Sequence, residues 1–454
     1  MEGYCNILGK EYYFSFDEKL FVISLIPHNI LDLHAIEAKA FSNDLDDFPE
    51  HIFGFLAGGN RVVFSVYLKS IGTSGIQFFV LEFYEIDNRN SQIDPGKQVL
   101  YIYGDSIEKL YPPKHAIELI HKDTKIGSQP YPGFDVQVKE ESDSATEFIL
   151  KYGGHETQVS FRISQSYNSK DRMPLDGFKS YLMIVFPKLK LPPFELKDIR
   201  RVIERIKKVF CFLFHVKNIS FEYIKFNLSI RELNGIHSGK IKLYEKPESE
   251  ELKPVHFLYL KGVIGNVLDQ IYSSDIDTSF FPNNQNERLS YTDYRIMSVF
   301  TAFEREFRRS FPNYSRLKKA EYKTAKDMAL SVLETTNNLS GASKKYYQEI
   351  IKNVKAFDYT LADKIRYALS NIEYLKEEFK KQIGQYKAHE FAEAMSRYRN
   401  DLAHGNEVDV NLLIHPYSFV ILEKLITILY LRRKGADETH IQEFVTKGIL
   451  QRSL

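Results

Sequence analysis

The spacing of apolar residues changes near residue 251 of this 454-residue chain, and this change limits the fold more than any other feature. Before it, apolar and polar residues alternate in short runs rich in β-branched and aromatic side chains, as in half-buried strands. Beyond it, apolar residues recur at helical spacing. The chain is therefore predicted to be α+β, with a β-rich domain at 1–250, a connecting segment at 251–289 and a helical bundle at 290–454.

Turn residues separate the strand patterns of the first part. The clearest strand patterns lie at 20–26, 61–68, 77–84 and 99–103. Residues that tolerate positive φ occur between such runs, at 57–60, 153–154 and 234–235. The glycine pair at 153–154 predicts a hairpin that joins strands at 148–150 and 159–161. One helix, at about 196–215, is expected to interrupt the strands because its apolar residues follow the helical period.

Capping residues predict the helix boundaries of the second part. A capping box at 290–293 predicts a helix that runs to Arg309, and another at 360–363 predicts a long helix through Lys380. A further helix is expected over 416–434, where a proline begins the pattern and cations precede a glycine at its end. The segment 275–290 is the expected loop or hinge.

The most informative short motif is Arg399-Asn400-Asp401-Leu402-Ala403-His404, followed by Gly405. The motif lies at the end of a predicted amphipathic helix, which is expected to occupy an inner position in the bundle. Gly405 is expected to terminate this helix as a left-handed cap. The apolar stripe consists of Phe391, Met395, Tyr398 and Leu402. The opposite, polar face consists of Glu393, Arg397, Asn400 and His404. Arg399 lies at the flank of the stripe.

Arg399 and His404 diverge on a regular helix. At about 100° per residue, five steps separate their side chains by roughly 140° around the axis. The two groups can meet if the helix distorts at His404, or if a two-fold dimer brings both residues of both copies around one groove. We favour the dimer.

The pattern Arg-Asn-(x)3-His at a helix end resembles the HEPN family of metal-independent ribonucleases. The string from Tyr398 to Gly405 looks like the ApeA-type members, which act in bacterial anti-phage defence by abortive infection. The resemblance covers the helical part from about Ser290 onward. A looser likeness relates the first half of the chain to the ApeA N-terminal domain.

The resemblance implies an endoribonuclease that needs no metal and no cofactor, with Arg399, Asn400 and His404 as catalytic residues. Its substrate would be RNA, and transfer RNA is one candidate class. The helical domain would form a homodimer. The N-terminal domain would be a sensor or regulator that responds to infection, with a phage protein as a candidate trigger. The RNA cleaved, the trigger and the mode of control are left open.

The chemistry of these residue types suits RNA cleavage. RNA carries its own nucleophile, the 2′-hydroxyl, so an enzyme must remove its proton, protonate the leaving 5′-oxygen and neutralise the phosphorane. Histidine suits proton transfer near neutral pH, and a helix C-terminus favours its protonated form. Arg399 can hold two phosphate oxygens in a planar fork. Asn400 can orient the substrate or the histidine.

Other readings stay open. Arg399 and His404 could simply cap exposed carbonyls at a helix end. The chain could also be a non-catalytic HEPN-like module that dimerises and binds RNA or protein, or a purely structural bundle. Glu304 and Glu306, on the first bundle helix, could support the motif, but such residues are more often solvated, so they are left outside the site.

The sequence predicts a cytoplasmic protein without a membrane span. The formal net charge is +1, with a surplus of about six positive charges over 285–454, a mild bias that suits phosphate contact. Two cysteines are too few for a disulfide framework. The N-terminus lacks the pattern of a signal peptide. The most apolar run, 419–431, is too short to span a bilayer and contains Glu423 and Lys424.

Overall fold

A computed structural model provides the coordinates of the protein. It describes residues 1–7, 9–28, 49–72, 75–87, 97–112, 117–126, 129–138, 147–152, 155–165, 178–187, 193–244, 252, 257–273, 275–314, 320–335, 339–356, 359–383, 387–406 and 416–447. These residues form two compact units. The first consists of Met1–Phe214, Asn218–Lys261 and Leu268–Ile276, and the second consists of His215–Lys217, Gly262–Val267 and Asp277–Leu454.

The first unit contains the strands of the described chain. They are β1 (Glu2–Ile7), β2 (Lys10–Asp17), β3 (Val22–Pro27), β4 (His51–Leu56), β5 (Arg61–Gly72), β6 (Gly75–Ile86), β7 (Gln98–Tyr103), β8 (Ile117–Ile126), β9 (Gln129–Val138), β10 (Glu147–Tyr152), β11 (His155–Gln165), β12 (Phe178–Phe186), β13 (Tyr223–Ile230) and β14 (Gly235–Leu243). All four predicted strand patterns correspond to observed strands. The predicted hairpin is also present, because β10 pairs antiparallel with β11, although the two glycines between them lie outside the described residues.

Twelve strands share one sheet, in the order β10-β11-β12-β7-β13-β14-β6-β3-β2-β1-β4-β5. Strand β5 also pairs with β6, so β1–β6 close on themselves. Side chains alternate between the two faces of each strand, and the aromatic and aliphatic side chains of these strands share the inner face. They fill the core that the closed strands enclose. Gly3 permits a close approach there: a Cβ at this position would lie 2.1 Å from the carbonyl oxygen of Phe55. The remaining two strands, β8 and β9, form a separate hairpin.

Helices dominate the rest of the described chain. They are α1 (Asp105–Leu110), α2 (Leu196–Phe214), α3 (Phe257–Leu268), α4 (Gln270–Ser273), α5 (Asp293–Ser310), α6 (Ala320–Thr335), α7 (Gly341–Ala356), α8 (Leu361–Ser370), α9 (Glu373–Ile383), α10 (Ala388–His404), α11 (Pro416–Arg433) and α12 (Glu438–Lys447). The β-rich first part and helical second part confirm the predicted α+β class. The helices expected at 196–215 and 416–434 are both observed.

Two predicted helix boundaries are wrong. The cap of α5 is Thr292, whose side chain accepts a hydrogen bond from the backbone N–H of Arg295, rather than Ser290. The box at Thr360 and Asp363 is present as predicted. The helix after it does not continue through Lys380, however, because it ends at Ser370 and α9 begins at Glu373. Between them, the Asn371 side chain donates to the carbonyl of Tyr367, which terminates α8.

The inner helix of the second unit is α11, not the motif helix α10. Every residue of α11 from Ser418 to Leu431 is buried, and it packs along α5. Helix α10 packs on α8 and α5 and buries Phe391, Ala392 and Met395, which lie toward its N-terminal end. The motif at its other end is therefore accessible. None of the described helices combines the length and apolar character that crossing a membrane requires.

Candidate active site

Helix α10 presents the motif at a well-defined C-terminus. Gly405 has φ 67°, in the left-handed region, as the sequence predicts. Its backbone N–H donates to the carbonyl of Leu402, and that of Asn406 donates to the carbonyl of Asp401. These two bonds are those of a Schellman closure, which satisfies the last carbonyls with backbone donors. Side chains of the motif are therefore not needed to cap the helix at these carbonyls.

Arg399 lies half-buried between α10 and α5. Its side chain is 37% exposed, and its Nη2 lies 3.9 Å from Oε2 of Glu304 on α5. Its Nη1 donates to the amide oxygen of Asn400 over 3.3 Å. A separation of 3.9 Å marks an ion pair at the limit of direct contact, so Glu304 orients the guanidinium without tightly occupying it.

Glu304 is held from its other side by Lys364 of α8. The Lys364 ammonium donates to Oε1 of Glu304 and lies 4.9 Å from the centre of the Tyr359 ring. Lys364 is buried, whereas Arg399 is only half-buried. We call Arg399, Glu304 and Lys364 the site cluster. Its charges alternate, with one carboxylate between two cations, so the cluster carries a net positive charge that suits a phosphate.

Asn400 and His404 are both exposed, as the predicted polar face requires. Asn400 contacts Arg399, as described above. Among the described residues, the His404 side chain has no hydrogen-bond or ion-pair partner. The structure thus brings Arg399 and Asn400 together and leaves His404 apart from them.

The helix does not distort to reunite Arg399 with His404. Helix α10 is continuous from Ala388 to His404. The angular separation of roughly 140° expected for a regular helix therefore applies. Helix distortion, one of the two ways in which these side chains could converge, is therefore not observed.

Sequence reasoning placed Glu304 outside the site and missed Lys364 altogether. Both lie on helices distant in sequence from the motif, and their role depends on how α5, α8 and α10 pack. Glu304 carries a weak signal, since it is a charged residue between the buried Phe303 and the buried Phe307 of an amphipathic helix. Lys364 follows the capping residue Asp363 and gives no comparable signal.

A second charged cluster lies deep in the same unit. Nε2 of His215 and Oε2 of Glu423 are 2.9 Å apart, and Nη2 of Arg295 donates to Oε1 of Glu423 over 2.7 Å. Arg295 also donates to the carbonyls of Phe280, Glu287, Arg288 and Ser290. We call Arg295, Glu423 and His215 the buried cluster. It ties the predicted 275–290 loop to α5 and α11.

Burial and charge act against each other in the buried cluster. Burial lowers the pKa of His215 and outweighs the attraction of the Glu423 carboxylate. Burial alone would raise the pKa of Glu423. The contacts of its carboxylate with His215 and Arg295 together outweigh this effect, so the pKa is lowered. The directions describe a neutral imidazole that donates to an ionised carboxylate, with the charge of that carboxylate balanced by Arg295.

An open cleft of about 360 Å³ lies on the first unit, where β1, β4 and β5 meet. Its rim carries the exposed rings of Tyr4, Phe53 and Phe55 together with Arg61. Tyrosine and arginine are enriched at the centres of protein interfaces. No ionisable pair in the cleft resembles the site cluster, among the residues described there.

The site cluster therefore remains the strongest chemical candidate. It contains the guanidinium of Arg399 with accessible donors. The amide of Asn400 lies beside this guanidinium, and the exposed imidazole of His404 lies on the same helix but apart from the cluster. Within the described residues, no group of three or more His, Cys, Asp or Glu side chains is placed to hold a metal ion. Comparison of the chain with protein-family models, curated proteins and solved structures found no match.

Proposed function

We propose that this protein is a metal-independent endoribonuclease of bacterial anti-phage defence, of the HEPN type and similar to ApeA. It would cleave RNA as a cytoplasmic homodimer, with Arg399, Asn400 and His404 as catalytic residues. The observation that carries the proposal is the accessible guanidinium of Arg399, held loosely at 3.9 Å from Glu304, on the helix whose end exposes His404.

Arg399 would supply positive charge next to the phosphate on which negative charge develops during the reaction. Attack of the 2′-oxygen on the adjacent phosphorus forms a phosphorane with an additional negative charge. A guanidinium can hold two of its oxygens while staying protonated throughout. Because the site cluster leaves Arg399 partly exposed, RNA can reach it without disrupting the core of the unit.

His404 supplies proton transfer. Its imidazole, at a helix C-terminus, can protonate the 5′-oxygen as the phosphorus–oxygen bond breaks. Deprotonation of the 2′-hydroxyl by a second imidazole would complete the balance, and the second copy in a dimer provides one. The products would be a 2′,3′-cyclic phosphate and a 5′-hydroxyl. Asn400, beside Arg399, would orient the phosphate.

The first unit would receive the infection signal and control the nuclease. Its large β-sheet has no part in the site cluster, which lies wholly in the second unit. A phage protein is the class of trigger that we propose, and the exposed rings of Tyr4, Phe53 and Phe55 are accessible to it. Transfer RNA is one candidate substrate.

The decisive experiment incubates purified protein with total bacterial RNA in EDTA and maps the 3′ ends of the fragments. The wild type and His389→Ala should both cut, because His389 is an exposed histidine on the same helix but outside the motif. His404→Ala and Arg399→Ala should lower the rate at least about a hundredfold. Arg397→Ala serves as the matched control for Arg399.

The outcomes separate the alternatives. Fragments with cyclic phosphate ends, produced by the wild type and not by His404→Ala, support the nuclease. Equal cleavage by all variants would contradict the assigned site. RNA binding without cleavage, also in phage-infected cells that produce the protein, would instead favour the non-catalytic binding module.

A further inference from the structure

The hairpin formed by α6 and α7 has no buried residue among its described side chains. Each helix packs chiefly against the other. Large apolar side chains face solvent on both: Met328 is 65% exposed, Val332 67%, Tyr346 67% and Ile350 49%. We call this hairpin, 320–335 with 341–356, the arm. Elsewhere in the second unit, Tyr294 on α5 is also exposed, at 73%, whereas most large apolar side chains described there are buried or half-buried.

The exposed apolar residues of the arm form a stripe on each helix. Met328 and Val332 are four positions apart on α6, as are Tyr346 and Ile350 on α7. Residues at this spacing lie on one side of a helix, one turn apart. The half-buried residues Leu330, Leu333, Tyr347 and Ile351 account for the remaining apolar positions near them. Each helix thus has a covered apolar side and an exposed one.

Two helices gain little stability from apolar sides that stay exposed in this way. Isolated helices of this length are marginal in water, and most helical stability comes from packing an apolar face. Contiguous exposed apolar surface on a water-soluble unit marks an interaction site. The stripes therefore call for a partner that buries them.

The charges of the arm indicate which partner this is. Helix α6 carries two basic and three acidic residues, whereas α7 carries four basic and one acidic residue. A two-fold axis can place α6 of one copy beside α7 of the other, and this is the arrangement that the charges favour. Such pairing sets a negative helix against a positive one twice and joins the stripes as the core of a four-helix bundle.

We propose that the arm is the dimerisation element of this protein, occupied by the arm of a second copy. The choice of a second copy rests in part on the proposed nuclease, because Arg399 and His404 diverge on the regular helix α10. The exposed stripes and the opposite charges of the two helices do not depend on the proposed nuclease activity. The arm joins α5, which carries Glu304, to α8, which carries Lys364. Pairing of two arms would therefore act directly on the helices that hold Arg399.

The test measures the mass of the full chain in solution by sedimentation over a range of micromolar concentrations. The wild type should have twice the chain mass. Val332→Glu with Ile350→Glu should raise the dissociation constant of the dimer at least about a hundredfold, since two-fold symmetry repeats each unpaired charge. Gln348→Glu adds the same charge to α7 at an exposed polar position and should leave the dimer unchanged.

Each outcome decides the question. A wild type that stays monomeric overturns the proposal, whatever else the arm binds. A dimer that persists in the double variant, with unchanged helical content by circular dichroism, places the interface elsewhere. A dimer that depends on the arm but cuts no RNA supports the arm and counts against the nuclease. Cleavage by a double variant that is monomeric would show that the dimer is not needed for the site.

Discussion

Two clusters of the second unit contain the same elements, an arginine and a second base on either side of a glutamate, but in opposite environments. They are the buried cluster of Arg295, Glu423 and His215 and the site cluster of Arg399, Glu304 and Lys364. In the first, every group lies in the protein interior. In the second, Lys364 alone is buried.

The difference lies in how many donors each arginine has committed. Arg295 uses its Nε and both terminal nitrogens on four carbonyls and one carboxylate. Arg399, within the described residues, has one bond of 3.3 Å to Asn400 and one carboxylate at 3.9 Å. An arginine with all donors satisfied stabilises a fold, whereas one with donors to spare can bind an anion.

The largest expected effect is on stability, from removal of Arg295. Arg295→Ala leaves Glu423 buried with its charge uncompensated and should lower the free energy of unfolding by about 3–5 kcal/mol. Arg399→Ala should lower it by no more than about 1 kcal/mol, because its ion pair is partly exposed. Urea unfolding followed by far-ultraviolet circular dichroism measures both. Equal decreases in the free energy of unfolding for the two variants would contradict the proposed difference between the clusters.

The next expected effect concerns the response of the buried cluster to acidification. The lowered pKa of His215 means that the unfolded chain takes up a proton, below about pH 6.5, that the folded chain does not. Stability is therefore full above that range and declines as pH falls, by at most about 1.4 kcal/mol per pH unit for one proton. The lowered pKa of Glu423 adds a second decline below about pH 4.5.

His215→Asn tests this pH dependence. Asparagine tolerates the positive φ of 55° at this position and does not titrate. Thermal unfolding from pH 7.5 to 5.5 should show a flatter decline than in the wild type. The groups that face His215 are Glu423, Arg288 and Arg295. An unchanged slope would mean that His215 does not titrate differently on folding.

A matched pair of glycines gives a smaller effect. Gly435 ends α11 with the same two backbone bonds by which Gly405 ends α10, and its φ is 76°. Alanine at either position should cost about 1–2 kcal/mol of stability, because an L-residue is strained there. Only Gly405→Ala should also lower the cleavage rate, since it adjoins His404. Loss of activity in both variants would point to general destabilisation.

The smallest expected effect comes from Glu304. Glu304→Gln removes the charge that orients Arg399 and should reduce kcat/KM for RNA by about threefold to fivefold, the value of a half-exposed ion pair. Glu393→Gln, on the exposed face of α10, is its control. A loss as large as that of Arg399→Ala would give Glu304 a direct part in the reaction. An unchanged kcat/KM would mean that Glu304 does not contribute to the function of Arg399.

Local features were predictable from the sequence. The end of α10 at Gly405 and the cap at Thr360 depend on residues a few positions apart, and both are observed as predicted. The cap of α5 was misplaced because Thr292 and Ser290 offer nearly the same local pattern. The break at Asn371 could not be foreseen from periodicity, since the apolar spacing continues to Ile372, which is fully buried.

Features that depend on distant residues were not predictable. Arg399 and Asn400 follow from the motif, but the support of Arg399 by Glu304 and Lys364 requires the packing of three helices. The buried cluster joins residues 208 positions apart, His215 and Glu423. From the sequence, Glu423 indicated only that the apolar run around it does not span a membrane. Its actual role, as the acceptor for two bases, needs the folded chain.

The sequence separation within the buried cluster has a consequence for protein synthesis. His215 leaves the ribosome long before Glu423, and the motif from Arg399 to His404 is also made before the buried helix α11 that carries Glu423. A nascent or prematurely terminated chain therefore contains the motif without the core that supports it. For the proposed nuclease, this order would delay activity until α11 has been synthesised.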